Sequence, residues 1–262
     1  MSANGTHDVD ALTAELERDG ICTIPGLIPR DTVDRWREAY DALVAQRAEV
    51  PGGLAPRGAG RHYVTLPWAP PFADPDVFAN PVVLAVLDRV FAQEYVLVQL
   101  GADTAGPGSE YQETHRDYRP LFDDTFVTPL YALAVNFPLV EVTDENGPFT
   151  IARGTHALPR DEAMARVASG EIPLERLTAR PGDVTIRTPL ALHLGTANRT
   201  SEPRPMVVLG YVMHWLHTAN VELRVPRSFY GSLPERRRRL LRCEVVDEVD
   251  LAGRETYVKF AY

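Results

Sequence analysis

Hydrophobic and polar positions change period partway along the chain. Before residue 95 they recur at helical spacing; beyond it they form short apolar runs separated by turn residues. Residues 8–19 are rich in helix formers and stop at Gly20, which suits the left-handed cap at a helix C-terminus. Residues 21–24 are short and apolar, and Pro25-Gly26 turns the chain. Over 31–50, Val33, Trp36, Tyr40, Leu43 and Val44 share one helical face, which predicts an amphipathic helix packed on a core. Residues 51–60 form a Gly/Pro-rich loop. Asn80-Pro81 supplies a cap and a first-turn proline for a helix running to about Gln93.

The later runs, 95–100, 130–138, 149–152, 183–187 and 206–215, are rich in β-branched and aromatic residues, with Gly, Pro, Asn and Asp between them. Helices are expected at 160–169 and 233–242. Short strands joined by long loops point to a mainly β fold with flanking helices, a β-sandwich or jelly roll rather than a parallel α/β sheet. No linker divides the chain. The expectation is one domain over 1–262: a helical buttress with pocket loops (1–94), a jelly-roll core (95–216) and a C-terminal extension (217–262). Pocket walls are expected from loops 51–75, 103–112 and 118–128.

Composition narrows the function. The chain has 262 residues, 45% hydrophobic and 24% charged, so it can bury a core without disulfides or a structural metal. A net charge of −9 argues against a nucleic-acid partner, which needs a basic surface. Cys22 and Cys243 make neither a disulfide framework nor a zinc site. Residues 1–10 are polar and acidic and residues 129–140 are too short to span a bilayer, so no export signal or membrane span is expected and the location reads as cytoplasmic. Lys259 is the only lysine, a bias typical of GC-rich bacterial genes. The partner is then a small molecule; the oligomeric state is open.

The sharpest local feature is His115-Arg116-Asp117. On a strand, residues two apart face the same way and present imidazole and carboxylate together. His193 could complete a facial triad of two histidines and one carboxylate, which leaves three positions open on iron(II). Arg204, between Pro203 and Pro205, could hold the far carboxylate of an oxo-acid through its planar fork. Arg187 and Arg199 are rival anchors. The same ligands would also suit a hydrolytic zinc, and a jelly roll that only binds a metabolite is a third reading.

Taken together, the motifs resemble the phytanoyl-CoA dioxygenase-like branch of the iron(II)/2-oxoglutarate oxygenases. The matching pieces are Asp19-Gly20 with Ile24-Pro25-Gly26, His115-Arg116-Asp117, Glu145-Asn146-Gly147-Pro148, Arg153-Gly154-Thr155-His156, Pro181-Gly182-Asp183, His193 with Asn198, and Arg204. They occur in the family's order and cover roughly residues 10–215. The resemblance implies a double-stranded β-helix with Fe(II) on His115, Asp117 and His193, and Arg204 on the 5-carboxylate of 2-oxoglutarate. Dioxygen is the third reactant, and 2-oxoglutarate leaves as succinate and CO2. Related halogenases replace the carboxylate with a small residue, so Asp117 points to hydroxylation, desaturation or ring closure. The substrate reads as a small, polar bacterial specialised metabolite.

Two departures bear on the site. Arg153 stands where many members have proline. Gly195 stands where many carry a hydroxyl that helps hold the cosubstrate, leaving Thr196 as the nearest alternative. Gln99 and Gln112 are candidates for the other end of 2-oxoglutarate. His62, Tyr63, Asn136 and Arg187 are candidate substrate contacts, and Asn198 reads as a loop-ordering residue.

Overall fold

The computed structural model describes residues 7–122, 128–217, 222–251 and 255. Its N-terminal part follows the helical pattern closely. Helix α1 (Val9–Asp19) is capped by the Asp8 carboxylate, which accepts from the Ala11 amide, and ends at Gly20 with φ of 77°. Strand β1 (Ile21–Ile24) follows, then α2 (Arg30–Ala48). Val33, Trp36, Tyr40 and Leu43 of α2 are buried, and Val44 is partly buried. Short strands β2 (Ala55–Pro56) and β3 (Arg61–Thr65) come next, then α3 (Pro75–Phe78) and α4 (Pro81–Phe91), the last capped by Asn80.

The β-rich part comprises β4 (Tyr95–Ala105), β5 (Ala132–Pro138), β6 (Phe149–Ile151), α5 (Arg160–Ala168), β7 (Glu175–Leu177), β8 (Val184–Arg187), β9 (His193–Gly195) and β10 (Arg204–Met213). Beyond it lie β11 (Leu223–Pro226), α6 (Arg227–Ser232), α7 (Glu235–Leu240) and β12 (Cys243–Val246). One antiparallel sheet has seven strands in the order β1-β8-β5-β10-β4-β3-β2, and a smaller one has the order β7-β6-β9. β11 and β12 pair in parallel. Both antiparallel sheets contribute to the walls of one cavity between them, the mainly β, jelly-roll arrangement with flanking helices.

Alternation along the strands divides the large sheet. On β10, Val207, Leu209 and Tyr211 join the main hydrophobic core, while Arg204, Met206, Val208 and Gly210 line the cavity. On β5, Val135 and Phe137 face the core and Ala132, Ala134, Asn136 and Pro138 the cavity. The core packs the N-terminal helices onto the sheet. Trp36 sits edge-on to Phe72 at 5.2 Å and to Phe137 at 5.3 Å between ring centroids, a favourable aromatic geometry.

Two features differ from the sequence expectation, and some expected segments lie outside the described residues. Residues 61–65 form a strand, so the large sheet draws β1, β2 and β3 from the segment read as a helical buttress. Strand β4 extends to Ala105, past the apolar run, because Asp103 can face the cavity while Ala102 and Thr104 stay buried. Residues 123–127 of the expected pocket loop, and 218–221, 252–254 and 256–262 of the expected extension, lie outside the described residues.

The Pro181-Gly182-Asp183 turn ties the N-terminal segment to the sheet. Asp183 accepts from the Gly26 amide at 2.9 Å, and the Ile28 amide donates to the Gly182 carbonyl at 3.0 Å. Gly182 has φ of 102°, and a Cβ there would lie 2.5 Å from the Ile28 carbonyl oxygen. Gly26 also has positive φ, 62°, but open space around it. In denaturant titrations Gly26→Ala should cost about 1 kcal/mol from conformation alone, and Gly182→Ala about 2–3 kcal/mol or more because a backbone clash adds to the strain. Equal losses would show that the turn yields without cost.

Candidate metal centre and its cavity

The His115-x-Asp117 motif does not lie in a regular strand. Its frame is a single antiparallel bridge in which His115 and His193 exchange both backbone hydrogen bonds, each 3.0 Å. The Asp117 amide is fixed by the Pro189 carbonyl at 2.9 Å. Arg116, between them, points away and donates to the Thr155 and Leu158 carbonyls at 2.8 Å, which ties the motif to the Gly154-Thr155-His156 turn. His156 reaches back to the Glu17 carbonyl at 3.0 Å, a packing role at the end of α1.

His115, Asp117 and His193 each offer a ligand atom, all within 4.8 Å of one another. Asp117 Oδ1 lies 3.6 Å from His115 Nε2, and Oδ2 lies 3.3 Å from His193 Nε2. Both imidazoles place Nδ1 against a backbone carbonyl: His115 on Glu113 at 2.7 Å and His193 on Ala191 at 2.8 Å. A carbonyl only accepts, so Nδ1 carries the proton and Nε2 presents its lone pair inward. Burial lowers the His193 pKa, against the pull of Asp117, and favours the neutral ring. Burial alone would raise the Asp117 carboxyl; the permanent charge of Arg187, 3.0 Å away, opposes it, and the carboxyl lies well below the usual range. Two imidazoles with Nε2 turned inward and one carboxylate are a donor set that fits a divalent transition metal such as iron.

Arg187 backs this set. Its Nη2 donates to Asp117 Oδ2 at 3.0 Å, and its guanidinium carbon lies 4.8 Å from the Phe149 ring centroid. Phe149 also packs against His193, with centroids 5.2 Å apart. Nη1 of Arg187 is buried without a hydrogen-bond partner.

The cavity around these groups has a volume of about 520 Å³, within the usual range for small-molecule sites. One end is strongly basic. Arg61, Ala105 and Arg204 are consecutive cross-strand partners on β3, β4 and β10, so two buried guanidiniums flank one small residue. Arg204 donates to the Gly147 carbonyl at 2.7 Å, while its buried Nε has no hydrogen-bond partner among the described residues. Burial lowers the Arg204 pKa to about 10, with Asp103 opposing, so it stays charged at neutral pH. An orphaned donor on a buried cation calls for an anionic acceptor.

Gly195 explains how Arg61 reaches this end. A Cβ at 195 would lie 2.8 Å from Arg61 Nη1 and 2.8 Å from Gln112 Oε1. The place of a side chain is taken by these two groups. Gln112 accepts from the Gly195 amide at 2.9 Å, and Arg61 donates to the Thr196 and Glu110 carbonyls. Sequence reading passed over Arg61, because its importance depends on a glycine far along the chain.

The remaining candidates divide. Gln99, Gln112, Tyr63, Asn136 and Arg187 line the cavity. Asn136 also donates to the Val207 carbonyl at 3.1 Å. His62 was expected beside Tyr63 on the wall, but strand alternation turns it to the opposite face, where it meets the Tyr40 hydroxyl at 3.3 Å. Thr196 is buried outside the lining; its hydroxyl donates to the Pro148 carbonyl at 2.8 Å. Arg199 does not line the cavity. Asp103, Tyr118 and Glu222 do; Asp103 and Tyr118 lie in segments expected to wall the pocket, whereas Glu222 carried no sequence signal.

Comparison with known proteins adds a family and a set of folds. The family model described as phytanoyl-CoA dioxygenase (PhyH) matches residues 16–206. The epimerase SnoN from nogalamycin biosynthesis, in complex with Fe3+, alpha-ketoglutarate and nogalamycin RO, is 22% identical with a TM-score of 0.60, covering 78% of this chain and 83% of its own. The carbocyclase SnoK, also from nogalamycin biosynthesis, is 18% identical with a TM-score of 0.64, covering 81% and 86%. EctD from S. alaskensis, with 2-oxoglutarate and 5-hydroxyectoine, is 19% identical with a TM-score of 0.62, covering 81% and 78%. At these identities the likeness is one of fold.

Asn198 sets the loop between His193 and Arg204. Its Nδ2 donates to the Ala105 and Glu202 carbonyls, each at 2.8 Å, and its Oδ1 accepts from the Thr200 amide and hydroxyl. Asn198→Ala should therefore lower stability by about 3 kcal/mol in denaturant titrations while leaving cobalt(II) affinity of the triad within about twofold. A loss of metal affinity without a stability change would reverse that assignment.

Proposed function

The chain belongs to the phytanoyl-CoA dioxygenase (PhyH) family and is an oxidoreductase of that family, and on this premise we propose that it couples 2-oxoglutarate and dioxygen to oxidation of a small, polar specialised metabolite. The reaction is hydroxylation, or desaturation or ring closure. Residues 1–262 act as one oxygenase domain. Fe(II) is held by His115, Asp117 and His193. The observation that carries the reading is the pairing, in one cavity, of two tautomer-fixed histidines and a carboxylate with a buried guanidinium that has an unused donor. SnoN and SnoK, of like fold, belong to nogalamycin biosynthesis, which supports a natural-product substrate. No described helix is long and apolar enough to cross a membrane; a cytoplasmic site of action is part of the proposal.

When bound, iron with 2-oxoglutarate and dioxygen supplies C–H oxidation, with succinate and CO2 as by-products. The protein's share is placement, charge and exclusion of water. Arg204 binds the 5-carboxylate, and Arg61, standing where a hydroxyl side chain would otherwise sit, gives that carboxylate a second cation. Gln112 holds the Gly195 backbone in register with both. Arg187 keeps Asp117 ionised and oriented, and Phe149 shields that pair from water. Ala132, Ala134 and Gly210 keep the floor of the cavity low, which leaves room for substrate.

Anaerobic addition of Fe(II) and 2-oxoglutarate to the purified protein should produce the weak visible charge-transfer band of a chelated oxo-acid. His115→Ala or His193→Ala should abolish it. A band of full strength in either variant would overturn the ligand assignment.

Titration of the same band measures cosubstrate affinity. Arg204→Lys keeps the charge but loses the two-pronged grip, so affinity should fall roughly 10- to 150-fold, the worth of one charged hydrogen bond. Arg61→Met should cost about tenfold. If Arg204→Lys changes nothing, the anchor lies elsewhere.

A further inference from the structure

The cavity carries a second polar cluster that the proposed cosubstrate chemistry does not use. Gln99 Nε2 donates to the Tyr63 hydroxyl at 3.0 Å, and that hydroxyl donates to Glu222 Oε1 at 2.6 Å. All three line the same cavity as the metal-ligand candidates. Gly101 makes room for the arrangement: a Cβ there would lie 2.0 Å from the Tyr63 hydroxyl oxygen.

Sheet register places this cluster relative to the metal centre. Gln99, Gly210, Ala134 and Arg187 are consecutive partners across β4, β10, β5 and β8. Both ends of this row are polar: Gln99 leads to Tyr63 and Glu222, and Arg187 leads to Asp117. The two central residues have almost no side chain. At about 4.8 Å per strand the ends lie roughly 14 Å apart, so the row forms a trough between the metal ligands and Glu222. Val98, Leu133, Val208 and Val212 give it apolar walls.

Glu222 is distinguished by the cation it lacks. Arg47 holds Glu255 at 3.1 Å, Arg224 holds Glu244 at 3.5 Å, Arg57 lies 3.6 Å from Asp103, and Arg187 holds Asp117. Among the described residues no basic side chain pairs with Glu222. The basic end of the cavity is remote from it: Arg204 pairs with Ala105, six residues along β4 from Gln99, or about 20 Å of strand.

We infer that Glu222, held by Tyr63 and Gln99, binds a protonated amino group of the substrate, so that the molecule oxidised is a small amine whose apolar body lies over Ala134 and Gly210. This rests on the oxygenase reading and adds the substrate class to it. The Tyr63 hydroxyl aims at the carboxyl and no cation among the described residues does, which leaves the positive charge for the ligand to bring. Burial, with Glu255 adding, pushes the Glu222 carboxyl up to about 8 against the pull of the Tyr63 hydroxyl, the state of an acid awaiting a counter-ion. An amine also orients itself in this cavity, since the arginine end repels it.

The test is isothermal titration of the full chain, anaerobic and saturated with Fe(II) and 2-oxoglutarate, with matched probes: cyclohexylamine against cyclohexanol, and phenethylamine against phenethyl alcohol. The amines should bind the wild type about tenfold or more tightly than the alcohols. Glu222→Gln should erase the preference while keeping the 2-oxoglutarate band and the circular-dichroism spectrum of the wild type; Tyr63→Phe should keep the preference. Equal binding of amine and alcohol, binding of neither, or a preference that survives Glu222→Gln overturns the proposal. Absence of the band in the wild type would instead overturn the oxygenase reading, and the titrations would still decide amine recognition.

Discussion

Two backbone hydrogen bonds, exchanged between His115 and His193, hold the rest of the site in place. They join a loop outside any sheet to a three-residue strand that pairs with β6 on its other side. Because the bonds are made by the ligand residues themselves, they set where both imidazoles start and which way the rings leave the backbone. The carbonyls of Glu113 and Ala191, each two residues before its histidine, then fix the tautomers. Asp117 is brought in by its own amide bond to Pro189. The metal-ligand geometry is thus mostly a main-chain construction, which side-chain substitutions nearby disturb less than a break in the bridge would.

The fold was legible where one physical signal decided it. Helical periodicity placed Val33, Trp36, Tyr40 and Leu43 on the core face of α2, and Asn80-Pro81 marked the start of α4. The apolar runs of β5, β8 and β10 stood out because one face packs on helices and the other on a largely apolar cavity. Strand β3 did not, because Arg-His-Tyr-Val-Thr alternates between the basic end of the cavity and the core and follows a loop rich in glycine and proline. The candidate metal ligands and Arg204 were marked by motif order, and the fold brings them to one cavity. Arg61, Asp103 and Glu222 were not, because each acquires its role from partners distant in the chain: Gly195, Arg57 and Tyr63 respectively. His62 shows the opposite error, since adjacency to Tyr63 on a strand means opposite faces.

Charge in the cavity is organised by what is left unpaired. Burying a guanidinium or a carboxylate without a partner is costly, and this interior holds several of both. Most are neutralised within the protein. Among the described residues Glu222 has no basic partner, and Arg204 Nε and Arg187 Nη1 have no acceptor; Glu222 and Arg204 lie well apart along the cavity. That separation gives the cavity two electrostatic poles of opposite sign, with the candidate metal ligands on the wall between strands β8 and β9. The strip over Ala134 and Gly210 separates Glu222 and its partners from Arg187 and Asp117.

Gly195 has a consequence for how this site can change over generations. A hydroxyl side chain at 195 and an arginine at 61 compete for one volume, with Gln112 sharing the boundary. Adding the side chain first collides with the guanidinium; removing the arginine first leaves a hole beside a buried cation and strips Thr196 and Glu110 of a donor. Positions 61, 112 and 195 are therefore epistatic. A change at one of these positions shifts what the other two can hold, so the residues at 61 and 195 should covary among relatives as a linked pair.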